Sequence, residues 1–215
     1  MSLFITGTDT GVGKTYIATR LLELLRASGE SCAGMKAICC GDRRDAELLL
    51  AVGSEGLTID DVNPVWLKTP AAPIVGGLME RVDIDIEHIL AAFRTLQNRV
   101  EHVIVEGTGG WMVPIHRNYF VSDLAVAMKL PVLAIAYNRL GCLNHAVLTV
   151  QSVAAHGLRC AGLVLNNSEE TSDMATVTNA DILRKILDVP VLGELGGNLT
   201  ELPADWRFML DSTNP

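Results

Sequence analysis

Residues 7–15 read GTDTGVGKT, directly after the apolar run Leu3-Phe4-Ile5. Small residues at Gly11 and Gly13 let several backbone N–H groups turn toward phosphate oxygens. Lys14 has the reach for β and γ phosphates, and Thr15 carries a hydroxyl of the kind that binds magnesium. The helix expected to start here adds its N-terminal dipole to the attraction. The candidate nucleotide-binding segment therefore runs from Thr10 through Val12 to Tyr16. Five residues separate Gly7 from Gly13, against four in the common phosphate loop, unless Thr8 takes the first place. Read instead as a plain glycine-rich turn, the stretch leaves Lys14 as a cation in a helix's first turn, which is unfavourable without an anion. A dinucleotide loop fails on spacing, because Tyr16 stands where its third glycine belongs.

A magnesium nucleotide site needs further hard oxygen ligands. Glu106 ends the apolar run Val103-Ile104-Val105 and precedes Gly107-Thr108-Gly109-Gly110, so it should project from the carboxyl end of a central strand, where open α/β sheets bind ligands. Asp45, before the run Ala46 to Leu50, suits either a metal or a helix start favoured by the dipole. Lys36 ends a second strand-like segment, Cys32 to Met35, and should share an edge with the glycine loop. There it serves phosphoryl transfer or an acidic substrate, or is a solvated strand-end lysine. Cys39-Cys40-Gly41 are expected in a loop after it. The five histidines show no ligand spacing.

These residues need a scaffold. Short unbroken apolar runs at 3–6, 102–107, 131–137, 160–166 and 190–195 suit strands buried on both faces. Between them lie stretches with helical spacing, such as Ile17, Leu21, Leu24 and Leu25, or Ile86, Ile89, Leu90 and Phe93. The alternation predicts one α/β domain over 1–215, a single doubly wound, mostly parallel sheet flanked by helices. Pro131 and Pro190 should open strands, and Gly29, Gly53 and Gly157 should form left-handed helix ends. The stretch from Asn63 to Asp83, with three prolines and Gly76-Gly77, reads as a long irregular excursion over one sheet edge, of the kind that is often functional.

With 215 residues, 49% of them apolar, the chain can bury a full core. Seventeen basic against 25 acidic residues give a net charge of -8, which argues against nucleic acid or an anionic membrane as partner. The opening MSLFITGTDT has no basic segment and no long apolar run, so a cytoplasmic protein is expected. Five cysteines without a C-x-x-C pair read as reduced thiols.

Five segments together resemble the dethiobiotin synthetase family: GTDTGVGKT at 7–15, GMK and CCG within 34–41, RDAELL at 44–49, VEGTGGWMVP at 105–114 and LGCLNHAVLT at 140–149. With VLNNS at 164–168 and PVLGEL at 190–195 they cover most of the chain, and the five-residue gap before Gly-Lys-Thr is the form this family uses. The resemblance implies a homodimeric P-loop NTPase fold that takes magnesium, ATP, carbon dioxide and 7,8-diaminopelargonate. It implies that Lys14 and Lys36 stabilise γ-phosphate and carbamate charge, and that Thr15, Asp45 and Glu106 hold magnesium. Gly107, Thr108, Gly109, Gly110 and Asn144 would contact the diamine, the last across a dimer interface, with Lys36 and Cys40 also at the substrate and Asn166 at the adenine. Cys40 stands where the family has a site serine, Asn167 where many relatives have aspartate, and Gly196-Gly197 where a proline is common. The Cys40–Asp45 loop is short for the family.

Two rival functions share the loop. A partition-type regulatory ATPase usually carries an early loop lysine, and Thr8, Asp9 and Thr10 supply none. An amide-forming synthetase on another carboxylate is disfavoured by Lys36 and the LGCLNH segment.

Overall fold

The computed structural model describes residues 2–167 and 173–196; Ser168 and Gly197 lie outside them. The chain runs β1 (Ser2–Gly7), α1 (Lys14–Ala27), β2 (Cys32–Lys36), β3 (Ile38–Cys40), α2 (Arg44–Val52), α3 (Ile59–Val62), β4 (Val65–Leu67), α4 (Pro73–Glu80) and α5 (Ile86–Arg99). It continues through β5 (His102–Gly110), β6 (Pro114–His116), β7 (Tyr119–Phe120), α6 (Val121–Met128), β8 (Val132–Tyr137), α7 (Cys142–Ala155), β9 (Cys160–Asn167), α8 (Met174–Ile186) and β10 (Val191–Gly196).

Six strands form one sheet in the order β10-β9-β8-β1-β5-β2, and each neighbouring pair is parallel. Because side chains alternate along a strand, each face collects its own core. Leu3, Ile5, Ile104, Leu133 and Ile135 pack under α1 and α2, against Ile17, Leu21, Leu22, Leu25 and Leu49. Phe4, Met35, Val103, Val105 and Leu163 face α5 to α8, against Ile89, Phe93, Leu124, Val150 and Leu183. Helices on both faces and parallel strands make the doubly wound sheet that the apolar runs imply. The burial of Leu22 corrects the expected stripe of α1, since Leu24 is exposed. No described helix is long and apolar enough to cross a membrane.

Parallel register does the first part of the positioning. Lys36 pairs with Glu106 across β2 and β5, so the two project side by side at the carboxyl ends of their strands. By alternation they share the face covered by α1 and α2, the helices that begin with Lys14 and with Arg44-Asp45. Gly34 lets those helices come close, because a Cβ there would meet Leu49 at 2.7 Å and Leu22 at 2.9 Å.

Three local expectations change. The stretch after Asn63 is not irregular: β4 pairs in parallel with β3, and α4 begins on Pro73, whose fixed φ suits a first helical turn. Cys39 and Cys40 therefore lie in a strand rather than a loop. Gly29 and Gly157 are left-handed at φ 81° and 72°, but Gly53 is extended, its N–H returning to Leu49 and Leu50 carbonyls without a left-handed turn. Pro131 and Pro190 stand immediately before β8 and β10.

Candidate active site

Gly13, in the left-handed conformation at φ 97°, turns the chain from β1 into α1, and Lys14 is the helix's first residue. The loop has no room for a larger residue: a Cβ on Gly13 would sit 2.3 Å from the Asn166 side chain. The Lys14 ammonium donates to the Asp9 carbonyl at 3.1 Å and is buried. Burial, then the neighbouring charge of Lys36, pulls its pKa down to about 8. A lysine held this way gains most from an arriving anion.

Lys36, whose charge acts on Lys14, is 5% exposed, which excludes the solvated strand-end reading. Its Nζ lies 2.5 Å from Glu106 Oε1 and 2.7 Å from Asp45 Oδ2. Burial disfavours this ammonium, yet the two carboxylates override that penalty and hold its pKa above the ordinary lysine value. Asp45, half exposed in the first turn of α2, is desolvated in the unfavourable direction but kept below the ordinary carboxylate range by Lys36. Thr15 donates from Oγ1 to Glu106 Oε1 at 3.0 Å, while the buried Oε2 of Glu106 has no hydrogen-bond partner among the described residues. Two carboxylates and a hydroxyl converge, and an ammonium already sits between the carboxylates. That is a donor set of hard oxygens suited to a divalent cation once phosphate and water oxygens join it. No group of three or more His, Cys, Asp or Glu is placed for a metal among the described residues, so a cation here depends on the Thr15 hydroxyl and on ligands from outside the chain.

These groups line one cleft of about 660 Å³. Of the expected nucleotide residues, Thr10, Gly11, Gly13, Lys14, Thr15 and Tyr16 line it, whereas the Val12 side chain is buried in the core. Cys40, Thr108 and Gly109 line it as well. Burial pushes the Cys40 thiol up to about 11, against the pull of Lys36, so it is a neutral group. Thr108 spends its hydroxyl on the Ile38 carbonyl, tying β5 to β3.

Besides Val12, four expected residues do not line this cleft. Gly107 is a packing residue, since a Cβ there would meet Phe4 and Val121 at 3.0 Å. Gly110 lies against the backbone of Gly7 and Thr8. Asn144 is exposed on α7, outside the cleft of the single chain. Asn166 donates from Nδ2 to the Val12 carbonyl at 3.0 Å and so braces the phosphate loop from β9.

The remaining wall was not assigned from the sequence. Pro70 to Pro73 and Asp42 complete the cleft, and the N-terminus of α4 begins there with no acidic residue in its first turn. The proline-rich excursion was the signal, but its spacing does not reveal which residues return to the site.

A family model described as AAA domain matches residues 1–200. The ATP-dependent dethiobiotin synthetase BioD of Akkermansia muciniphila is 44% identical over 194 residues, covering 90% of this chain and 91% of that protein. The same-named proteins of Aromatoleum aromaticum and Endomicrobium trichonymphae are 41% and 37% identical, covering 88% and 91% of this chain and 88% and 92% of their own. Among solved structures, the cell division ATPase MinD of Pyrococcus furiosus aligns with a TM-score of 0.58 at 17% identity, over 92% of this chain and 84% of that one. The signal recognition particle receptor FtsY from Elizabethkingia anophelis aligns at 0.57 and 16%, over 97% and 63%. At such identity these two speak for the fold alone.

Proposed function

The chain belongs to the ATP-dependent dethiobiotin synthetase family, and we propose that it joins carbon dioxide to 7,8-diaminopelargonate and closes the ureido ring at the cost of one ATP. One amine adds to carbon dioxide and loses a proton, giving a carbamate. A carbamate oxygen attacks the γ-phosphorus and the β–γ bridging oxygen leaves with ADP. The second amine then attacks the carbonyl carbon and loses a proton, and phosphate departs with the carbamate oxygen as the ring closes.

The observation that carries this reading is the convergence of Lys14, Thr15, Lys36, Asp45 and Glu106 on one cleft. Lys14 and the N–H groups at the start of α1 bind the β and γ phosphates. Lys36 stabilises the negative charge that builds between carbamate and phosphoryl group, where a fixed cation in a dry site does most. Thr15, Asp45 and Glu106 would hold magnesium; the unpartnered Oε2 of Glu106 and the cation already between the carboxylates support that fit. When bound, magnesium neutralises phosphate charge and helps orient the terminal phosphoryl group. The chain's own part is to keep the carboxylates ionised through Lys36 and to exclude water beneath Pro70 to Pro73.

We also propose a single domain over 1–215, a cytoplasmic site of action, and a homodimer in which α7 lies at the interface. Leu140 and Leu148 are 84% and 57% exposed, and Met112 is exposed nearby. Burying such residues favours association, and it would bring Asn144 of one protomer toward the other's cleft.

Purified protein given the diamine, bicarbonate, magnesium and ATP is expected to release phosphate and dethiobiotin in equal amounts. Phosphate release with no ring product overturns the assignment.

A further inference from the structure

We propose that Asn63 is a positioning residue for this reaction: it grips both ends of the segment from Lys36 to Asp45 and so sets the cation against its carboxylates. The proposal rests on the roles given above to Lys36 and Asp45.

Asn63 is 1% exposed and ends α3, a four-residue helix closed at its start by reciprocal bonds between Thr58 and Asp61. Its Nδ2 donates to the Lys36 carbonyl at 2.9 Å and to the Val65 carbonyl at 2.8 Å. Its Oδ1 accepts from Arg43 Nε at 3.0 Å. Two carbonyls on one side and an N–H on the other leave the carboxamide a single orientation, with both amide hydrogens and the oxygen satisfied.

The contacts matter because of what they join. Among the described residues β2 is the edge strand of the sheet, so beyond β5 no further described sheet strand steadies Lys36. At the other end, Arg43 directly precedes α2, whose second residue is Asp45. The Arg43 guanidinium also donates to the Asn63 carbonyl at 3.0 Å and to Asp60 at 2.9 Å, and lies 5.2 Å from the Trp66 ring centre. Trp66 Nε1 in turn donates to the Gly41 carbonyl at 2.8 Å. The strand end and the helix start that meet at Lys36 and Asp45 are thus referred to one buried amide. Groups that orient a charged site from behind commonly control its activity without touching substrate.

Asn63→Ala and Asn63→Asp test this. Aspartate keeps the size and the acceptor for Arg43 but turns an oxygen toward two carbonyls, so it carries the test if the alanine variant does not fold. Both variants are expected to lower kcat by about 10- to 100-fold while KM for ATP stays within about threefold, because the phosphate loop is held separately. In a Lys36→Ala background, read as single-turnover phosphate release at high enzyme concentration, the same substitutions should cost less than about threefold, since the ammonium they set against Asp45 and Glu106 is gone. An undiminished kcat, an equal rise in KM for ATP, or a loss that persists in full without Lys36 overturns the proposal. Failure of the underlying reading shows separately, as wild-type protein that makes no dethiobiotin or a Lys36→Ala protein that keeps its turnover.

Discussion

Two lysines face one cleft and are treated in opposite ways. Lys14 is buried at the start of α1, bonded to the Asp9 carbonyl, with its pKa pulled down to about 8 by burial and by Lys36. Lys36 is equally buried, yet Glu106 and Asp45 hold its pKa above the ordinary value despite desolvation. The first is under-compensated by the protein and, in the proposed function, gains its counter-charge from the nucleotide. The second is compensated by the protein itself and stays charged throughout. In the function proposed above, Lys14 binds the nucleotide and Lys36 meets charge that exists only during the reaction, which is where binding energy raises turnover.

The largest effect should come from removing the compensated lysine. Lys36→Ala is expected to lower kcat by about 10²- to 10³-fold, with a far smaller change in ATP affinity, measured by steady-state kinetics and equilibrium binding. Comparable losses in both would erase the distinction between the two lysines. Next, Glu106→Gln removes a carboxylate from Lys36 and from the proposed metal site, and should raise the magnesium needed for half-maximal activity about tenfold or more. An unchanged magnesium titration removes Glu106 from the ligand set.

The under-compensated lysine predicts a pH dependence of definite sign. ATP favours protonated Lys14, so affinity for metal-free ATP is full below pH 8 and falls as pH rises through the pKa of about 8. By titration calorimetry the fall between pH 7 and pH 9 should be about tenfold and absent in Lys14→Met. The same depressed value means that between about 8 and the ordinary 10.5 the unfolded chain holds more protons than the folded one, so this group's contribution to stability rises with pH over that window. The smallest effect is expected at Cys40, a neutral, half-buried thiol lining the same cleft. Cys40→Ser should change KM for the diamine by less than about fivefold, the worth of one ordinary hydrogen bond. A larger gain would show that the family's hydroxyl matters to substrate grip.

The same division separates what the sequence reveals from what it hides. The phosphate loop is legible because its chemistry is local: Gly11, Gly13, Lys14 and Thr15 act within one turn of chain. Lys36 and Glu106 are legible one step further, as polar residues ending apolar runs, and parallel register then places them together. Asn63 and Pro70 to Pro73 are not legible, because their part depends on how a segment returns over the sheet edge. The bond from Asn63 to the Lys36 carbonyl spans 27 positions and leaves no periodic trace. The expected face of α1 erred for a similar reason: Leu22 and Leu24 both fit a helical stripe, and the close approach of α2 at Gly34 favours Leu22. Asn166 is expected at the adenine from the resemblance alone, and its bond to the Val12 carbonyl could be known only from the packing of β9 beside the loop.

The claim on which all of this turns is that ATP is spent on a carbamate oxygen. A single rapid turnover with ¹⁸O-labelled bicarbonate in unlabelled water reads that atom directly, by mass spectrometry of the released phosphate. The account predicts phosphate carrying one labelled oxygen; phosphate free of label, formed alongside ring product, would contradict it.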